Sequence, residues 1–135
     1  MQIDPHSALV YVMVLVSAAD DDMTDAELET MGEIVRYLPV FRGFDSQRLT
    51  AIADSCADLL SDEDGLDKAM DAIETALPDH LRETAYALAC DVAAADGQVA
   101  QEEMRLLELI RYRLRVGRLP AAAIERAARA RHQTL

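Results

Sequence analysis

Ala18-Ala19-Asp20-Asp21-Asp22-Met23-Thr24-Asp25-Ala26-Glu27-Leu28 and Ala94-Ala95-Asp96-Gly97-Gln98-Val99-Ala100-Gln101-Glu102-Glu103-Met104 lie 76 positions apart and read alike: the end of an apolar helix, a tight acidic turn, and the start of a second helix. The apolar phase continues on either side of the turn, pairing Leu9 with Ala85, Val12 with Leu88, Val16 with Val92, Met31 with Leu107, Ile34 with Ile110 and Leu38 with Leu114. Shared phase over so long a stretch reads as one supersecondary unit used twice, its copies packed about a pseudo-two-fold axis.

Working outward, periodicity and punctuation place seven helices and no two-residue alternation, so the expected fold class is all-α. The first helix runs from about Pro5 to Ala19 and the second from Thr24 to about Leu38, where Pro39 stops it. The stripe Leu28, Met31, Ile34, Val35 and Leu38 should face the core. Asp45 serves as N-cap of a third helix, and Ser61-Asp62-Glu63-Asp64-Gly65 opens a fourth carrying Leu66, Ala69, Met70, Ile73 and Leu77. Pro78 opens the fifth, which ends near Ala95. The sixth spans about Ala100 to Arg115 with Gly117 as its left-handed C-cap, and Pro120 opens the last. The repeat halves are thus about 5–38 and 78–115, with linking helices in 45–77 and a C-terminal helix over 120–132, all in one domain of residues 1–135. The first and fifth helices are apolar on nearly every side and belong at the centre.

Composition supports this reading. Hydrophobic content is 51% but aromatic content only 4%, so Ala, Leu, Val, Ile and Met must build the interior. The two Phe residues, Phe41 and Phe44, sit in one loop and are expected to plug the core. Cys56 and Cys90 lie in helical apolar surroundings without metal-ligand spacing, as reduced core thiols would. The longest uncharged run, Ser7–Ala19, has thirteen residues, too few for the roughly 20 that span a bilayer. It also lacks the flanks of a signal peptide, so a cytoplasmic protein without direct membrane insertion is expected.

The acidic turns admit two readings. Thr24 with Glu27 forms a capping box, and Asp at positions 20 and 96 bonds turn amides; this accounts for them structurally. The second copy keeps Glu103 but has Ala100 at the cap, with Gly97 to ease the turn. Alternatively Asp20, Asp22, Asp96 and Glu103 supply hard oxygen ligands for Ca²⁺ or Mg²⁺, although neither turn fits an EF-hand loop. No cofactor is required by the first reading; the second brings a divalent cation, Ca²⁺ or Mg²⁺.

The net charge of -12 conceals an asymmetry: residues 1–104 hold 23 acids and 5 bases, whereas residues 105–135 hold 8 Arg and 2 Glu. Arg111, Arg115, Arg118, Arg126 and Arg129 are the candidate interaction residues, for an acidic protein partner or a phosphate-bearing ligand, beside the bland reading of a solvated surface. Nucleic acid is not the expected partner, since the overall field repels phosphate and no aromatics interleave with the Arg residues. The run Asp58, Asp62, Glu63, Asp64, Asp67 and Asp71 reads as a soluble face, with weak cation binding where Asp67 and Asp71 adjoin. Asp91 interrupts the apolar fifth helix where its duplicate is Leu15. It needs a cation, with Arg36 and Arg111 as candidates, unless it serves a ligand. His6, His80 and His132 are scattered, and no nucleophile elbow, phosphate loop or dinucleotide fingerprint occurs; a non-enzymatic protein is expected.

The pattern Ala94-Ala95-Asp96-Gly97, then Val99 and Glu103-Met104, resembles the tellurite-resistance TerB family and the related N-terminal domain of DjlA-type co-chaperones. It is echoed at Ala18–Leu28 and departs from the family at Asp21 and Ala100. The resemblance implies a cytoplasmic bundle of about seven helices associated with tellurite and other stress responses and without established catalysis. It further implies metal-ion binding, or the linking of protein partners in membrane-associated stress complexes. No J-domain is implied, because Pro78-Asp79-His80 has the wrong order. Oligomeric state is left between monomer and weak dimer, Ile124, Ala127 and Ala128 making only a thin apolar stripe.

Overall fold

Eleven consecutive residues, Ser7–Ser17, are buried in the first helix, which leaves it no solvent face at all. The computed structural model describes residues 2–19, 24–95, 97 and 99–135. This helix, α1 (Pro5–Ser17), begins where Asp4 accepts a 2.7 Å hydrogen bond from the Ser7 N–H, with Pro5 in the first turn. That N–H, aided by Arg48, holds the Asp4 carboxyl below the usual carboxylate range. Such a helix is stable only when enclosed, each buried Leu or Val contributing about 1.5–3 kcal/mol.

The enclosing elements are α2 (Asp25–Tyr37), α3 (Leu49–Leu60), α4 (Gly65–Ala76), α5 (Arg82–Ala93), α6 (Gln101–Arg113) and α7 (Arg118–Arg131), with three short 3₁₀ turns and, among the described residues, no strand. The fold class is therefore all-α, as expected. α1 and α5 pack against each other at the centre; α3 and α4 lie on α1, α2 and α7 on α5, and α6 on both. Ala85, Ala89 and Ala93 allow the close approach on α5.

Several boundaries differ from expectation. α5 begins at Arg82, because the chain after Pro78 first makes a 3₁₀ turn, Asp79–Leu81, to which Arg82 is tied by a 3.1 Å bond to Asp79. Asp45 caps a 3₁₀ turn, Ser46–Arg48, that leads into α3. Gly117 is not the left-handed residue at the end of α6: its φ is -65, and Arg115 takes φ 58. The Val116 N–H bonds to the Arg111 carbonyl and the Arg115 N–H to that of Tyr112, at 3.0 and 3.1 Å, closing a Schellman motif two residues earlier than the glycine suggested. The turn drives Val116 into the core, at a strain on the order of 1–3 kcal/mol for a residue with a Cβ. On α2, Met31, Ile34 and Val35 are buried, but Leu28 is 49% exposed and Glu27 takes the inward place. Leu66 on α4 is also partly exposed.

The loop aromatics behave as expected. Phe41 is buried, His6 stacks on it at 5.5 Å, and Phe44 meets both rings edge-on. Cys56 and Cys90 are free, buried thiols, each pushed up to about 12 by desolvation.

Candidate functional site

The two helices that follow the acidic turns start alike. Thr24 and Ala100 hold matching extended N-cap geometry, φ -77, ψ 158 and φ -64, ψ 155. At the first, Glu27 accepts from the Thr24 N–H at 2.9 Å while its own N–H donates to the Thr24 hydroxyl at 3.1 Å, a complete capping box. At the second, Glu103 accepts from the Ala100 N–H at 3.1 Å, and alanine has no oxygen to answer. Both carboxylates are buried, at 2% and 3% exposure, whereas the neighbouring Leu28 and Met104 are 49% and 53% exposed. The inversion follows from the box: a side chain reaching back across the first turn points inward, and the next residue is carried round toward solvent.

Of the four candidate metal ligands, Glu103 alone falls among the described residues; Asp20, Asp22 and Asp96 lie outside them, as does Met23. Gly97 adopts φ 81, as easing of the turn requires. Among the described residues, no group of three His, Cys, Asp or Glu side chains is placed to hold a metal ion. The acidic face of α4 has a cation of its own: Arg113 of α6 lies 3.6 Å from Asp67, 2.6 Å from Asp71 and 2.6 Å from Glu74. The Glu74 bond raises the pKa of Arg113 above its ordinary value, with Asp71 adding to it.

Asp91 is paired, but with neither of the expected arginines. Arg131 of α7 reaches its Oδ1 at 2.5 Å and His132 lies 3.6 Å away, because α7 is the helix that runs along this side of α5. Arg111 instead donates to the Val116 carbonyl at 3.3 Å.

The candidate interaction residues are only partly gathered. Arg111 and Arg129 line one groove, walled by α6 and α7 and floored by α5. Arg126 shares a shallow hollow with Arg129 on α7. Arg115 and Arg118 stand apart at the α6–α7 corner.

The groove encloses about 320 Å³, within the range of small-ligand sites, over an apolar floor that includes Cys90 and Ala94. At one end the Tyr86 hydroxyl donates to Glu125 at 2.6 Å. Burial first, then the Glu125 carboxylate, pushes the Tyr86 phenol up. With Cys90 also raised, both groups are neutral near pH 7 and neither is an activated nucleophile. Val99 and Met104, at the staple positions flanking the start of α6, line the same groove. Tyr86 and Glu125 were not singled out from the chain, although Glu125 is the one acid of the arginine-rich last helix.

In comparison with known proteins, a family model described as "Tellurite resistance protein TerB" matches residues 6–128. No curated protein and no solved structure matches the chain.

Proposed function

The chain belongs to the tellurite resistance protein TerB family, and from that premise we propose that it is a non-enzymatic binding or scaffold module of the cytoplasm that holds a protein partner in the α5–α6–α7 groove. The observation that carries this reading is the groove itself: an apolar floor left open between two helices, with Arg111 and Arg129 on its rim. Apolar area supplies affinity there, and the two guanidiniums select a partner segment carrying carboxylates. The raised Tyr86 and Cys90 side chains suit a binding surface better than a reaction site.

The test compares wild-type protein with the double variant Arg111→Ala, Arg129→Ala as baits in cells that make the chain. A partner enriched by the wild type, reproduced with purified components and lost at least tenfold in the variant, supports the groove. Equal binding by both proteins overturns it.

A second reading is a divalent-cation sensor. It is favoured by Glu27 and Glu103, two buried carboxylates that stand at corresponding places just after the two acidic turns. Its ligands are Asp20, Asp22, Asp96 and Glu103, with Ca²⁺ or Mg²⁺ as the ion. A thermal melt of chelator-stripped protein should then rise saturably with one metal, following RT ln(1 + [L]/Kd), and Asp20→Asn and Asp96→Asn should each abolish the rise. Equal, weak shifts with every metal in all three proteins remove this reading.

A further inference from the structure

The last helix is attached to the fold unlike the others. Among the described residues α7 packs on α5 and on no other helix to a comparable extent, because the groove separates it from α6. Of its 14 residues Ala121 and Ala128 are buried and Ile124 is partly so, a stripe of small apolar area. Polar clasps hold it instead. The Tyr86 hydroxyl donates to Glu125 in its middle, and Asp91 accepts from Arg131 at its end, with His132 3.6 Å away.

The joint in front of it is free to turn. Val116 is buried and fixes the end of α6, but Gly117 is exposed, and a Cβ there would meet nothing nearer than the Pro120 ring at 3.6 Å. Rotation about Gly117 therefore lifts α7 and leaves Val116 in place. Charge favours its return to an acidic surface, its own or another's. α7 carries four Arg and one Glu, a balance of +3, on a chain of net charge -12, so the body beneath it stands at -15. Such fields attract at long range whether or not the two pieces share a chain.

We propose that the face of α5 beneath α7 is a docking site for a helix from another molecule, that α7 is its built-in competitor, and that the helix it takes is α7 of a second copy. Any other occupant would have to bring small residues at the spacing of Ala121 and Ala128, a carboxylate for the Tyr86 hydroxyl and a cation for Asp91. A second copy brings all three in register. Reciprocal exchange remakes the contacts of α7 with α5, which is why dimers of this kind cost little. Each groove is then completed by the partner's Glu125 and the partner's Arg129, whatever the groove itself binds.

A fluorescent peptide of residues 118–132, added to the full chain, tests the assignment. Wild-type protein should bind it weakly, since its own α7 competes at high effective concentration. Glu125→Ala in the chain should tighten binding at least about tenfold, because the peptide restores the acceptor that the chain's own α7 has lost. A peptide carrying the same substitution should lose that gain, and Tyr86→Phe in the chain should make the two peptides equal. Hydrogen exchange of the wild type should show α7 opening while α1 and α5 stay protected, and light scattering should show dimers as concentration rises. Peptide binding that Glu125→Ala leaves unchanged overturns the proposal. So does α7 exchange that keeps pace with α1, in wild type or variant, since α7 would then open only with the whole fold. A chain that binds the peptide yet stays monomeric at every concentration gives the α5 face to a helix of some other protein and overturns the second-copy assignment.

Discussion

Two glycines separate the ways a single residue can be indispensable. At Gly65, the first residue of α4, a Cβ would come within 2.2 Å of the Leu59 carbonyl oxygen and 2.8 Å of the Leu60 Cα, so helix α3 and helix α4 approach through the missing side chain. At Gly97 a Cβ would meet nothing within 4 Å, and only φ 81 stands against it. Gly65→Ala should therefore cost about 2–3 kcal/mol, since backbone must move, and Gly97→Ala about 1 kcal/mol. Urea unfolding of both variants checks the order; equal losses would mean that the α3–α4 junction can yield. Gly97 was legible from its place in an acidic turn. Gly65 was visible only as part of a helix-opening cluster, because a clash with backbone five and six residues earlier depends on how the chain folds back.

At the scale of elements, the unequal helix starts yield the clearest expectation. Ala100 already has the backbone geometry of Thr24, and Glu103 already bonds to its N–H. Ala100→Thr should complete the second box and stabilise the protein by about 1 kcal/mol. Thr24→Ala should destabilise by a similar amount, and denaturant midpoints at unchanged slope would show both. No gain from Ala100→Thr would indicate that the hydroxyl cannot reach the Glu103 N–H. Which helices exist was plain from their apolar phase, above all in Ser7–Ser17. Where they stop was less plain: Gly117 is the conventional terminator, yet the need to bury Val116 places the left-handed turn at Arg115. The partner of Asp91 was beyond reading because Arg131 is 40 residues away, on a helix whose placement along α5 no local pattern encodes. The groove was hidden for the same reason, being made of α5, α6 and α7 together.

For the molecule as a whole, Arg113 joins parts that local pairing does not. It gathers Asp67, Asp71 and Glu74 from α4 onto α6, and its own side chain is 21% exposed, so the cluster is partly sheltered from solvent. Arg113→Met keeps the apolar stem and removes the charge, leaving three carboxylates on one helix face. A loss of about 1–2 kcal/mol is expected at low salt, shrinking as salt screens the carboxylates from one another. A loss that does not vary with salt would trace the effect to packing alone. The central pair sets a different condition, one of timing. α1 leaves the ribosome well before α5, whose last residue, Ala93, is made 76 residues after Ser17. At about 5–20 residues per second, the most apolar helix waits roughly 4–15 s for the surface that encloses it. During that interval α1 is the nascent chain's principal aggregation hazard and its natural target for a holding chaperone.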